Sequence, residues 1–139
     1  MTNADRRLLW HGMLVVVLGL VVGFGIPAFA NPRMGVAAHV GALMNGMLVV
    51  LFGLLWPHLR LAERWRRAAF STAIFSAYAN TAALTLAAAF GTSRMTPLAG
   101  AGHAGSGLQE AVVDVLLVAA AVATLAAAGL VLAGLGRRA

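Results

Sequence analysis

Four apolar runs separated by short polar segments organise this chain, at residues 8–29, 34–59, 68–90 and 108–135. Each reaches the ~20 residues that an α-helix needs to cross ~30 Å of hydrocarbon at ~1.5 Å per residue. None shows the ten-residue alternating segments of a membrane barrel, and backbone polar groups in lipid must be satisfied internally, so helices are expected. The pattern predicts an all-α fold, a four-helix transmembrane bundle forming a single domain over residues 1–139. Asn31-Pro32-Arg33 reads as a tight turn, which makes spans one and two antiparallel neighbours. The connection at residues 91–107 is rich in glycine and includes Pro97 and His103. It is long for a bare connection, and loops of that length tend to be functional or disordered.

Composition agrees with the pattern: 61% of residues are hydrophobic, 10% are charged and the mean hydropathy is +0.89. So few charges cannot cover a soluble domain, and lipid is the expected surroundings. All ten basic residues are arginine, and they cluster at Arg6 and Arg7, at Arg60, Arg64, Arg66 and Arg67, and at Arg137 and Arg138. The other two connections carry only Arg33 and Arg94. The positive-inside rule then puts both termini and the middle loop in the cytoplasm, with the cytoplasmic (inner) membrane as the default location. The net charge of +6 flanks apolar spans and forms no stripe on a folded face, which argues against nucleic acid as a partner. The first run is too long for the apolar region of a signal peptide and reads as a span. Without cysteine, disulfides, iron–sulfur clusters and thiolate catalysis are excluded.

Polar groups inside a membrane are costly and therefore mark candidate sites. Span two carries the most informative set, Ala38-His39-Val40-Gly41-Ala42-Leu43-Met44-Asn45-Gly46. A neutral imidazole at His39 suits haem iron or another transition metal, and equally suits a hydrogen bond to a neighbouring helix. Gly35, Ala38, Ala42 and Gly46 form a small-residue stripe that admits either a second helix or a flat cofactor close to the backbone. Asn45 follows His39 by six positions, about 120° around the helix, so it belongs to an adjoining pocket rather than the ligand face. Span three offers Ser76, Tyr78, Asn80, Thr81 and Thr85, of which Asn80 has the most hydrogen-bonding capacity to satisfy. Glu110 and Asp114 open span four and read as helix-capping charges that balance Arg94, or as an acid–base pair under the loop. His11 and His58 read as interfacial, and His103 as a loop residue that is a second ligand, a proton carrier or simply solvated. No Ser-His-Asp set, zinc motif or phosphate loop is present.

The run Ala38-His39 through Leu43-Met44-Asn45-Gly46-Met47, followed by Trp56-Pro57, resembles the small membrane isomerases that include styrene oxide isomerase and hydroxylaminobenzene mutase. Leu8-Leu9-Trp10-His11-Gly12-Met13, Ile26-Pro27, Asn31-Pro32-Arg33-Met34-Gly35, Tyr78-Ala79-Asn80 and Gly100-Ala101-Gly102-His103 look like the mutase branch. The resemblance implies a homotrimer with haem b between subunits, its ferric iron bound by the span-two histidine. It places His39 at that ligand position, with Ala38, Ala42 and Gly46 beside the cofactor, and Asn45 and Asn80 at pocket asparagines. Two positions depart from the epoxide isomerase pattern: Leu84 stands where a tyrosine is expected, and Ser76 where an aspartate is expected.

Those departures favour the mutase, which converts an aryl hydroxylamine such as hydroxylaminobenzene to an ortho-aminophenol. A ferric Lewis acid suits that reaction, since it weakens the N–O bond without net redox chemistry. An apolar intramembrane pocket suits a small aromatic substrate. On this expectation His39 holds the iron, Asn45 and Asn80 orient the polar group, Tyr78 walls the pocket and His103 carries a proton. The alternatives are an epoxide-to-aldehyde isomerase and a non-catalytic haem-binding or helper subunit. A channel or transporter is disfavoured, because the spans show no repeat and little polar lining.

Overall fold

The structure, a computed structural model, describes residues 3–136. Among these there is no strand, and four long helices carry the fold: α1 (Asn3–Gly25), α2 (Pro32–Leu55), α3 (Glu63–Phe90) and α5 (Gly107–Gly136), with a short α4 (Pro97–Gly100) in the last connection. Single 3-10 turns extend α1 through Ile26–Ala28 and α2 through Trp56–His58. All four long helices have the length and apolar content of membrane spans. Helix α3 begins five residues before the expected span, at Glu63. The apolar pattern ends at the arginines, whereas the helix continues through them, because long arginine side chains reach polar surroundings from a helical backbone. Arg137 and Arg138 lie outside the described residues.

The closest helix contact is between α1 and α2. The buried residues of α1 are Asp5, Leu8, Gly12, Val15 and Gly19, spaced by three and four. A Cβ on Gly12 would lie 2.8 Å from the carbonyl oxygen of Gly46, and one on Gly46 would lie 2.7 Å from that of Gly12. Further along, a Cβ on Gly19 would meet the Ala42 methyl at 2.9 Å. The two backbones therefore touch, and the glycines permit it. Helix α3 packs against α2, bringing the Leu84 side chain to Gly41, while α5 lies along α3. One core cluster joins Leu8, Val15, Val49, Phe52 and Trp56 to Ala69, Ala73 and Ala77; a second joins Met34, Ala87, Ala88 and Val113.

The connections are more ordered than a bare loop. Asn31, 1% exposed, caps α2 by accepting the Met34 N–H at 3.1 Å. Its amide nitrogen donates to the carbonyls of Ala99 and Gly100, at 3.1 and 2.9 Å, and its backbone N–H donates to Ala88. The α1–α2 turn is thus tied to the end of α3 and to α4. Capping of α5 falls to Ser106 and Gln109, each side chain accepting the other's backbone N–H. That is a capping box. Glu110 does not cap its own helix. It reaches across the connection and accepts N–H bonds from Ser93, Arg94 and Gly105 at 3.0–3.1 Å. Asp114 pairs with Arg94, as its charge suggests. Gly91 ends α3 at φ +70, in the left-handed region that glycine adopts freely.

Two outcomes follow. Gly12→Val should lower stability by about 1–3 kcal/mol by forcing two touching backbones apart. Gly129→Ala, at a position with nothing within 4 Å, should leave stability unchanged; thermal unfolding in detergent compares them. Glu110→Gln should release the connection, so that trypsin cuts after Arg94 faster than in the unsubstituted protein, read by a time course of fragments.

Candidate functional site

His39 is set by α1. Its Nδ1 lies 2.8 Å from the carbonyl oxygen of Gly19, so Nδ1 carries the proton and donates. A Cβ on Gly23 would fall 2.7 Å from the same nitrogen, so the ring occupies the room that this glycine leaves. The Gly19 bond fixes both tautomer and ring orientation and leaves Nε2 with its lone pair free of that contact. A carbonyl on one imidazole nitrogen is how a protein orients a histidine to coordinate through the other. His39 is partly buried at the edge of an outward apolar surface, where Val36, Val40 and Phe24 are exposed, the last at 89%.

The other residues singled out from the sequence fall elsewhere. Asn45 points to the other side of α2, and its Nδ2 is buried with no hydrogen-bond partner. Asn80 brings its Nδ2 to 3.9 Å from where a Gly41 Cβ would be, so it flanks α2 one turn from Asn45. Tyr78 precedes Asn80 by two positions, about 200° around α3, and faces α1 instead. His103 sits in the exposed connection, its Nδ1 3.0 Å from the Gly100 carbonyl and its own carbonyl accepting from Ser93 Oγ. It helps to fold the connection and lies about 20 Å along α3 from Tyr78. Ala42 and Gly46 are covered by α1, and Ala38 is also fully buried. That part of the small-residue stripe serves helix contact within the chain. Gly35 meets the Phe29 ring.

His11 is a residue whose role the sequence reading missed. It is not merely interfacial: its Nδ1 lies 2.9 Å from Tyr78 Oη, and its ring stands edge-on to Tyr78 and Trp10. The signal was available, because His11 is three residues after Leu8 and four before Val15, on the flank of the packed stripe. Gly19 and Gly23, which hold His39, gave no polar signal and were passed over. His58 is exposed in its 3-10 turn. Ser76 satisfies its hydroxyl locally on the Ala73 carbonyl, at 3.0 Å. Thr81 Oγ1 is, like the Asn45 amide nitrogen, buried and unpartnered.

One chain therefore presents three polar stations: an oriented imidazole at the outer edge of the α1–α2 seam, an unpaired asparagine amide on the α3 side of α2, and a histidine–tyrosine pair on the α1–α3 seam. Among the described residues no three histidines, cysteines, aspartates or glutamates converge as a metal cage.

Comparison with known proteins identifies the family. A family model for styrene oxide isomerase matches residues 4–136. Hydroxylaminobenzene mutase HabB of Ectopseudomonas oleovorans is 40% identical over 94% of this chain and 80% of its own length. Hydroxylaminobenzene mutase HabA of the same organism is 40% identical over 91% of this chain and 94% of its own. No solved structure matches significantly. A match across nearly every described residue, with two curated mutases alongside it, places this chain in the styrene oxide isomerase family, as a membrane isomerase with four spanning helices.

Proposed function

We propose that the protein is a mutase that converts an aryl hydroxylamine, such as hydroxylaminobenzene, to an ortho-aminophenol, with haem b held by His39 in a homotrimer. The observation that carries the choice of reaction is the 40% identity to two hydroxylaminobenzene mutases over more than nine-tenths of the chain. The reaction is an isomerisation that balances within the substrate: the N–O bond breaks, a C–O bond forms at the ortho carbon, and the proton lost there is matched by one gained at nitrogen.

The residues present fit the cofactor. His39 would hold the group through Nε2, since Nδ1 is fixed on the Gly19 carbonyl. Ferric haem supplies, when bound, a Lewis acid that favours heterolysis of the N–O bond. The chain's own groups supply the rest. Asn45 offers a buried amide donor without a partner, suited to an oxygen acceptor on the substrate. Asn80, a turn away, orients the same polar group. The Tyr78–His11 pair shares one proton between Oη and Nδ1 and is suited to move it. His39 faces outward while Asn45 and Asn80 face inward, so a second copy must cover the His39 face and complete the site. Apolar walls exclude water that would capture a cationic intermediate. His103 is left as a structural residue of the connection. The arginine bias supports a reading in which the termini lie on the cytoplasmic side of the inner membrane.

Epoxide isomerisation is the second reading. Leu84 packs against Gly41 beside Asn80, so an apolar side chain fills the position where the epoxide isomerase pattern has a tyrosine hydroxyl. That favours the hydroxylamine. Purified protein given hydroxylaminobenzene and styrene oxide side by side should turn over the first; preference for styrene oxide would reverse the assignment. Haem binding with no turnover of either would mark a non-catalytic haem protein.

His39→Ala should lose the Soret band and all turnover while keeping its helical circular dichroism; an active, haem-free variant would overturn the ligand role. Tyr78→Phe should retain haem but lower kcat by about 100-fold, in the range of a lost proton-transfer group; unchanged kcat would confine the His11–Tyr78 pair to packing.

A further inference from the structure

The arginine-rich end of the bundle holds a cavity that the proposed chemistry does not use. Its volume is ≈ 560 Å³, and it lies between the start of α1, Trp56 and the first two turns of α3. That volume falls within the ~300–1,000 Å³ of small-molecule sites. Arg7, Arg66 and Arg67 line it, with Glu63 as the one carboxylate. Glu63 is engaged by Arg67, Nε to Oε1 at 2.8 Å. Asp5, buried beside the cavity, leaves the local balance positive.

Aromatic faces, not carboxylates, position the other two arginines. The Arg7 guanidinium lies 5.2 Å from the centroid of Phe70, and that of Arg66 lies 5.4 Å from the centroid of Trp56, a ring only 2% exposed. Stacking leaves the N–H edge of a guanidinium for a further acceptor. Arg66 spends two donors on the carbonyls of Leu59 and Trp56 at long range, 3.4 Å each, out of five. The ion pairs recorded among the described residues are those of Arg67 and Arg94, and neither includes Arg7 or Arg66. The α3 N-terminus opens at the same place, its cap residue Ala62 offering no side-chain acceptor. Its first N–H groups add to the field that favours an anion. Ser71 and Asn3 supply polar groups at the edge.

We propose that this cavity binds the phosphate headgroup of an anionic membrane lipid. Two stacked guanidiniums and an uncapped helix end match a phosphate oxygen set. The depth is that of a headgroup, since Trp56 and Trp65 mark the interfacial belt where the apolar spans give way to arginine. A freely diffusing phosphate would meet the same groups, and the test separates the two sources.

The purified protein in dodecyl maltoside receives phosphatidylglycerol, phosphatidylcholine of the same acyl chains, or millimolar inorganic phosphate, and its thermal midpoint is read. Phosphatidylglycerol should raise the midpoint by about 5 °C over phosphatidylcholine, as ligand linkage would give at well above the dissociation constant. Arg7→Gln combined with Arg66→Gln should abolish most of that rise. Arg60→Gln combined with Arg64→Gln removes equal charge from the same end outside the cavity and should keep it. Should the first pair fail to fold, Arg7→Gln alone, at an exposed side chain, should still reduce the rise. No preference for phosphatidylglycerol, or equal loss in both double variants, would mean diffuse surface charge and overturn the site. An equal rise with inorganic phosphate would overturn the lipid as its occupant.

Discussion

The contact of α1 with α2 is the constraint from which the rest of the molecule takes its shape. In lipid no hydrophobic force drives helices together, so association relies on van der Waals contact and on how closely two backbones can approach. Gly12 against Gly46 brings the carbonyl of each helix to where the other's Cβ would be. Gly19 against Ala42 and Gly23 against His39 continue the seam. The seam does two jobs at once. It replaces side-chain packing with backbone packing, and it delivers a backbone carbonyl to the imidazole. Any residue larger than glycine at position 23 would take the space that the ring occupies.

The seam also divides the polar groups. Once α1 covers Ala42 and Gly46, His39 is left at the outer edge of α2, and Asn45 is turned towards α3. The histidine–tyrosine pair closes the α1–α3 side. An isomerase of a small aromatic needs an oriented electrophile, a donor for the departing oxygen and a place for one proton. On the proposed function this chain supplies a ligand for the first, His39, on its outside, and candidate groups for the other two. On that proposal a second surface over the His39 face would complete the pocket, which is why the proposed activity and the proposed oligomer belong together.

Helix number, order and approximate extent were legible in the sequence because lipid imposes length and apolar content directly on each span. His39 stood out for the same reason, being a costly group in an apolar run. Its partner did not stand out, because the acceptor is a backbone carbonyl and the residues that make room for it are glycines. The stripe at Ala38, Ala42 and Gly46 is legible as a surface of close approach, but a stripe does not state whether a helix or a cofactor fills it; at Ala42 and Gly46 α1 does. Glu110 was read as a charge serving its own helix. Two of its three donors, Ser93 and Arg94, lie 17 and 16 residues away, and no local pattern reveals a carboxylate that organises a neighbouring loop. The Ser106–Gln109 capping box, by contrast, is a local signal, its serine set between Gly105 and Gly107 where glycine dominates the pattern.

Asn31 carries a consequence for the order in which the chain acquires its final form. Its side-chain oxygen serves Met34, three residues on, and can be satisfied as soon as α2 exists. Its amide nitrogen serves residues 68 and 69 positions later. The first helical hairpin can therefore form while its connecting turn still holds a hydrated amide, and only the arrival of α4 exchanges that water for protein carbonyls. Closing a segment of this length is an entropic cost met late, after local contacts have formed. The turn between the first two helices thus has a latch whose second half lies beyond α3, and it can shut only once α4 is in place, with α5 still to follow in the chain.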